Sequence, residues 1–110
     1  AGHLLNILTA SGVAAALDIS SIPTLSGASF LSSEGVRSTL WLDNARHAAA
    51  FIDAEAETTS LLFNPQTGGG LLAAIPEESL PDILQQFASA GEPIWPIGRT
   101  LDGPVGIYIA

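Results

Sequence analysis

The apolar positions of this chain follow two rhythms, one helical and one strand-like, and the two alternate along its length. Leu4, Leu5, Ile7 and Leu8 form a helical stripe through residues 3–10, and Ser11-Gly12 supplies a natural stop. Residues 13–19 are a short apolar run broken by Asp18, whose length suits a buried strand better than a second helix. Residues 20–23 read as a loop. Leu25, Ala28 and Leu31 share one face of a predicted helix over 24–34, which ends at Gly35. Asp43 stands where it can N-cap a short alanine-rich helix reaching Phe51. The acidic residues 52–60 are ambiguous, and the apolar triplet Leu61-Leu62-Phe63 follows them.

The second half is more regular. Leu71-Leu72-Ala73-Ala74-Ile75 reads as a buried strand closed by Pro76. Leu80, Ile83, Leu84 and Phe87 keep i, i+3, i+4, i+7 spacing, which predicts a helix over 79–90 with Pro81 in its tolerated first turn and Gly91 at its end. Residues 94–101 and 105–109 read as two strands, and Asp102-Gly103 between them is a hairpin signal. Pro96 suits an edge or an irregular start to its strand. These elements predict an α/β (α+β) domain: a mixed β-sheet with helices packed on it and at least one antiparallel pair.

Composition narrows the function classes. Hydrophobic residues make up 47% of the chain and charged residues 13%, which predicts a globular fold whose surface is partly apolar and suited to a partner. The net charge is −8, with no lysine and only Arg37, Arg46 and Arg99, so nucleic-acid binding by phosphate neutralisation is not expected. Without cysteine there are no disulfides, thiolate metal sites or cysteine nucleophile. No apolar run approaches the roughly 20 residues that span a bilayer, and nothing reads as a signal peptide, so neither a membrane nor an export route is expected. The expectation is a cytoplasmic piece of a longer protein: residues 1–110 as one domain.

Chemistry is sparse. His3 and His47 each lack a second ligand at metal spacing and read as structural or solvent-facing. Asp53, Glu55 and Glu57 read as a solvated edge, and Glu77 and Glu78 as helix-start charges. Trp41 and Trp95 fit either core or interface. The distinctive stretch is Asn64-Pro65-Gln66-Thr67-Gly68-Gly69-Gly70. It lacks the lysine and Ser/Thr of a phosphate-binding loop and opens a strand-like run, where nucleotide fingerprints open a helix. It is either a turn feeding a central strand or a backbone surface facing a ligand or neighbouring domain, with Gln66 and Thr67 at its edge.

The order of features carries a resemblance. A Gly-His-Leu-Leu helix ends in Ala-Ser-Gly-Val and leads to an Asp-containing strand and a Leu-Ser-Gly-Ala segment. Later come Leu-Leu-Phe-Asn-Pro-Gln-Thr-Gly-Gly-Gly-Leu-Leu, a long helix ending in Gly91, and Ile97-Gly98-Arg99. From Gly2 to Ile109 this resembles the C-terminal domain of selenophosphate synthetase (selenide, water dikinase), of the fold shared with aminoimidazole ribonucleotide synthetase. The family motif commonly reads Phe-Asp-Pro-Gln-Thr-Ser-Gly-Gly-Leu-Leu, so Asn64 stands for an aspartate and Gly68 for a serine. The 35–39 segment with Arg37, followed by Asn44, loosely matches a family loop and looks like the form fused behind a pyridine-nucleotide-disulfide-oxidoreductase-like domain.

The resemblance implies an enzyme that turns ATP, selenide and water into selenophosphate, AMP and phosphate. ATP, Mg2+ and the nucleophile belong mainly to an N-terminal half, which would be this domain's partner and would usually form the homodimer. Asn64, Gln66, Thr67, Gly68, Gly69 and Gly70 would line the interdomain cleft, with His3 near the metal-binding segment. The chain itself would supply no catalytic residue and no metal ligand, and alone would neither hydrolyse nor tightly bind ATP. Two other readings remain: a purine-biosynthesis or thiamine-phosphate-kinase-like relative with the same fold, and a non-catalytic interaction module.

Overall fold

The computed structural model describes residues 1–55, 59–66 and 68–110. The first helix, α1 (Gly2–Ser11), turns its Leu5 and Leu8 inward and ends where Gly12 takes a left-handed φ of 67°, a conformation that costs a residue without Cβ little. The chain then enters β1 (Ala14–Leu17), the centre of a mixed sheet. Ala14 and Ala15 are buried, so helices approach the sheet closely there. After β1, Asp18 starts a short 3-10 turn (Ile19–Ser21) by accepting from the Ser20 N–H at 2.9 Å, the Ser20 hydroxyl at 2.6 Å and the Ser21 hydroxyl at 2.7 Å.

Those hydroxyl bonds, Ser20 first, hold the Asp18 carboxyl below the ordinary aspartate range. Because the folded value is the depressed one, this stabilisation is present above the ordinary aspartate range and is lost as pH falls through the folded value. An NMR titration of Asp18 should give a midpoint below that of an aspartate in an unstructured peptide. The Ser20→Ala/Ser21→Ala double variant should move it upward. An unmoved midpoint would show that the hydroxyls do not set it.

Helix α2 (Ala28–Ser33) is shorter than the 24–34 pattern predicts, because Gly27 at its N-cap takes a left-handed φ of 80° that breaks the helical path. The expected shared face does not seat in the core, and Leu25 and Leu31 are exposed. Helix α3 (Trp41–Ala48) starts earlier than expected. The Ser38 backbone carbonyl accepts from the Trp41 N–H at 3.0 Å and the Ser38 hydroxyl from the Leu40 N–H at 3.2 Å. Asp43 therefore lies inside the first turn and is not the N-cap. Its charge still meets the positive helix end. The helix ends at Ala48, short of Phe51, and buries Ala45 and Ala48.

Strand β2 (Ile52–Asp53) is minimal, and Glu57 lies outside the described residues. A 3-10 turn covers Ser60–Phe63, another Glu77–Ser79, and α4 runs Leu80–Ala90 with Gly91 left-handed at its end. Strands β3 (Gly98–Leu101) and β4 (Ile107–Ile109) complete the sheet in the order β2-β4-β1-β3. The residues from Ile94 to Ile97 stay outside a strand.

Asp102-Gly103 does not make the expected hairpin. β1 lies between the two strands, antiparallel to β3 (Leu17 opposite Gly98) and parallel to β4 (Ala15 opposite Ile107). The connection crosses the N-terminal end of β1, where the Ala15 N–H bonds the Gly106 carbonyl at 2.9 Å. A buried, alanine-rich strand can be paired on both edges, and that long-range choice outweighs the local turn signal.

The same choice explains a second departure. The run 71–75 is neither a strand nor buried; Leu71 is fully exposed. Both positions beside β1 are taken by β3 and β4, so no interior place in the sheet remains for it. The core joins Leu5 and Leu8 of α1, Ala15 and Leu17 of β1, Ala45 and Ala48 of α3, Ile52, Phe63 and Ile107. Leu8 and Ile107 are only 1% exposed. No helix among the described residues is long and apolar enough to cross a membrane.

Candidate functional site

The turn Ser60–Phe63 is where three helices meet, and it positions the glycine-rich motif that follows. From α3, the Trp41 indole N–H donates to the Ser60 carbonyl at 2.7 Å and the Asn44 amide donates to the Phe63 carbonyl at 2.8 Å. From the start of α1, the Ala1 nitrogen donates to the Leu62 carbonyl at 2.6 Å. From α2, the Ser32 hydroxyl bonds the Ser60 hydroxyl at 3.0 Å. Each donor satisfies a polar group that would otherwise be costly to bury.

Aromatic packing fixes the same platform. Trp41 meets buried Phe63 edge-to-face, with ring centroids 5.7 Å apart and planes at 84°. The Arg37 guanidinium lies 5.0 Å above the Trp41 ring and donates to the Ser32 carbonyl at 2.6 Å. Trp41, left open between core and interface by its sequence, is a half-buried anchor. Arg37 and Asn44, noted only as parts of a loosely matched loop, orient the turn. Trp41→Phe keeps a ring against Phe63 but leaves the Ser60 carbonyl without its donor, which should cost about 1–3 kcal/mol. The expected reading is a lower urea midpoint with faster exchange of the Asn64 and Gln66 amides; an unchanged midpoint would deny the anchor.

Beyond this platform the chain turns outward. Asn64 is half-buried and extended, and Pro65 and Gln66 are exposed. Thr67 lies outside the described residues, and Gly68, Gly69 and Gly70 are exposed. Nothing lies within 4 Å of a Cβ built on Gly68 or Gly70, and on Gly69 it would meet only the Gln66 Oε1, at 3.4 Å. Neither Gly69 nor Gly70 takes a left-handed φ. Crowding among described residues therefore does not call for glycine at these positions. The expected turn into a central strand is not what they serve, since 71–75 is no strand. What remains of the two sequence readings is an exposed backbone surface.

His3 is exposed on the first turn of α1. The Ala1–Leu62 bond brings that end of the helix to the platform, but no hydrogen bond joins His3 to the motif among the described residues. His47 is exposed on α3. No group of three or more His, Asp or Glu side chains converges among the described residues, so these side chains do not form a magnesium-binding set. Among the described residues, shallow concavities lie elsewhere, one between Ser20–Pro23 and Trp95-Pro96 and another between 50–53 and Val105, Gly106 and Tyr108. Neither includes a motif residue. The motif is thus an open shelf on a rigid base, able to offer backbone groups and the Asn64 and Gln66 amides but no proton-transfer group of its own.

No family model matches the chain. It is similar to proteins named selenide, water dikinase from several bacteria. That of Aeromonas hydrophila subsp. hydrophila is 39% identical over 100 residues, covering 90% of this chain and 29% of that protein. That of Nitratidesulfovibrio vulgaris (strain Miyazaki F) is 30% identical over 104 residues, covering 91% and 30%. That of Dechloromonas aromatica is 30% identical over 114 residues, covering 99% and 33%. The chain spans about 30% of the length of these curated relatives.

Proposed function

We propose that this chain, similar over nine tenths of its length to proteins named selenide, water dikinase, is the C-terminal domain of an ATP-dependent selenophosphate synthetase. The reaction would be ATP, selenide and water to selenophosphate, AMP and phosphate. The single observation that carries the reading is this similarity, and the exposed shelf gives it a physical role. Phosphoryl transfer asks little covalent chemistry of the protein and much positioning and charge stabilisation, so an open backbone wall is a useful contribution.

In this reading, residues 64–70 form one side of a cleft whose other side, with the ATP and Mg2+ sites and the nucleophile, belongs to an N-terminal half. Glycine leaves room for the ligand or the facing half to approach the backbone closely. The platform of Trp41, Asn44 and Ser60 fixes the direction in which the shelf leaves the core. His3 stands at the same end of the domain through the tie between Ala1 and Leu62. The full-length enzyme would act in the cytoplasm as a homodimer held together by its N-terminal halves. A purine-biosynthesis or thiamine-phosphate-kinase-like assignment has no comparable support among the relatives named above.

The test uses the full-length protein. Phosphorus NMR should show selenophosphate formed from ATP only when selenide is present. ATP hydrolysis indifferent to selenide would overturn the reading. The 110-residue chain alone should give no micromolar Mg–ATP binding by calorimetry, and heat of binding at that level would place the nucleotide site in this chain instead.

A further inference from the structure

The concavity between Ser20–Pro23 and Trp95-Pro96 holds chemistry that the proposed function leaves unused. Its two sides are joined through the backbone: the Asp18 N–H donates to the Ile97 carbonyl at 2.9 Å, which sets the turn after β1 beside Pro96. Trp95 is 51% exposed, so much of its ring surface is open to a ligand. Ile22, Pro23 and Pro96 add apolar surface, and Ser20 and Ser21 supply a polar edge. The volume, about 290 Å³, is at the small end for ligand sites and suits a molecule the size of one long side chain better than a nucleotide.

The hydrogen bonds of that edge decide which charge it takes. An ionised carboxylate can only accept. The Ser20 and Ser21 hydroxyls therefore direct their single hydrogens to Asp18, at 2.6 and 2.7 Å, and each hydroxyl oxygen is left with lone pairs alone. Asp18 has about four lone-pair sites. The Ser20 N–H and the two hydroxyls take three of them, so one acceptor position remains. The edge thus consists of acceptors with a carboxylate behind them. A ligand that meets it must bring donors, and a positively charged donor gains most. The open indole face selects the same class, because its quadrupole attracts cations. No basic residue lines the concavity, and the net charge of −8 draws cations toward the chain as a whole.

We propose that this concavity binds an organic cation with N–H donors: a guanidinium or primary ammonium on an aliphatic stem. The head meets the Ser20 and Ser21 oxygens and the Asp18 carboxylate beside the Trp95 ring, and the stem lies along Ile22, Pro23 and Pro96. A free amine and a partner's arginine or lysine side chain present this same group. The site includes no residue of the glycine shelf, and it stands whether or not the synthetase reading holds.

NMR of the 110-residue chain tests the proposal, because its two tryptophans give a sensor and a reference. The Trp41 indole N–H is bonded to the Ser60 carbonyl and lies outside the concavity. Butylguanidinium, added at constant ionic strength, should shift the Trp95 indole signal with a midpoint on the order of 10 mM and leave that of Trp41 in place. Its uncharged counterpart butylurea should shift neither. Equal responses to the two compounds, or none to butylguanidinium by about 100 mM, would overturn the proposal. Asp18→Asn keeps an acceptor oxygen but removes the charge, and should weaken binding about tenfold. Trp95→Leu keeps apolar cover but removes the ring, and should weaken it about threefold, read from the Ser20 and Ser21 amides. Circular dichroism melts of both variants separate lost binding from lost fold. Raising salt from about 0.05 to about 0.5 M needs no variant and should weaken binding severalfold; an affinity indifferent to salt would deny the cation. The peptide acetyl-Gly-Arg-Gly-amide distinguishes the sources: tighter binding than butylguanidinium assigns the site to a protein segment, and weaker binding assigns it to a free amine.

Discussion

Replacing Gly98 with valine should lower the thermal midpoint of the chain by about 10 °C or more, and alanine should produce most of that loss. Gly98 opens β3 directly opposite Leu17 of the central strand. A Cβ built there would overlap the Ala16 carbonyl oxygen and lie 3.1 Å from both the Ala16 carbonyl carbon and the Leu17 Cα. The atoms it meets are backbone, so no rotamer change relieves the overlap. Either β3 moves away from β1 or the β1 backbone bends, and β1 is the strand on which the sheet is built. A cost above about 3 kcal/mol follows from overpacking combined with weakened pairing, a large share of the 5–15 kcal/mol typical of a domain. Gly106 supplies the comparison: a Cβ there would make only ordinary contacts, the nearest at 3.5 Å to the Phe51 carbonyl oxygen. Thermal unfolding followed by circular dichroism should therefore rank Gly98→Ala far below Gly106→Ala. Equal midpoints would mean that β3 is not held against β1 in this register.

The role of Gly98 illustrates what sequence can and cannot disclose here. Local rules worked where the cause is local. Gly12, Gly35 and Gly91 end helices because each takes a left-handed φ at the end of its apolar stripe, and the stripes of α1 and α4 mark helices at nearly their observed bounds. Local rules failed where the cause is a distant partner. Asp102-Gly103 has the composition of a hairpin turn, and residues 71–75 that of a buried strand, but β1 decided both by pairing with β3 and β4. The apolar face of α4 was legible as a face, while its absence from the core was not.

The candidate site divides the same way. Its glycines stand out in the sequence because three in succession are rare and costly in backbone entropy. The platform beneath them left no pattern, because Trp41 and Asn44 bond the backbone carbonyls of Ser60 and Phe63, groups that every residue carries. Arg37 and Asn44 could have been found only through the loosely matched loop that contains them.

Gly70→Val should separate fold from function more sharply than any other substitution in the motif. A Cβ on Gly70 meets nothing within 4 Å, the residue is exposed, and its φ is not left-handed. No backbone hydrogen bond to another described residue engages it. In the 110-residue chain the substitution should therefore shift stability by no more than about 0.5 kcal/mol, or stabilise slightly by restricting the unfolded chain. In the full-length synthetase proposed above, the same side chain would stand in the cleft where backbone must face a ligand or the opposing half. A displacement of about 1 Å there is enough to cost roughly a hundredfold in rate, so kcat/KM for selenophosphate formation should fall by about that factor or more. The measurements are a thermal melt of the chain and initial rates by phosphorus NMR in the full-length protein. A variant that melts normally and loses activity places the shelf at the reacting groups. One that melts normally and keeps full activity would show that the glycines face empty solvent in the working enzyme, and the shelf would then need another explanation.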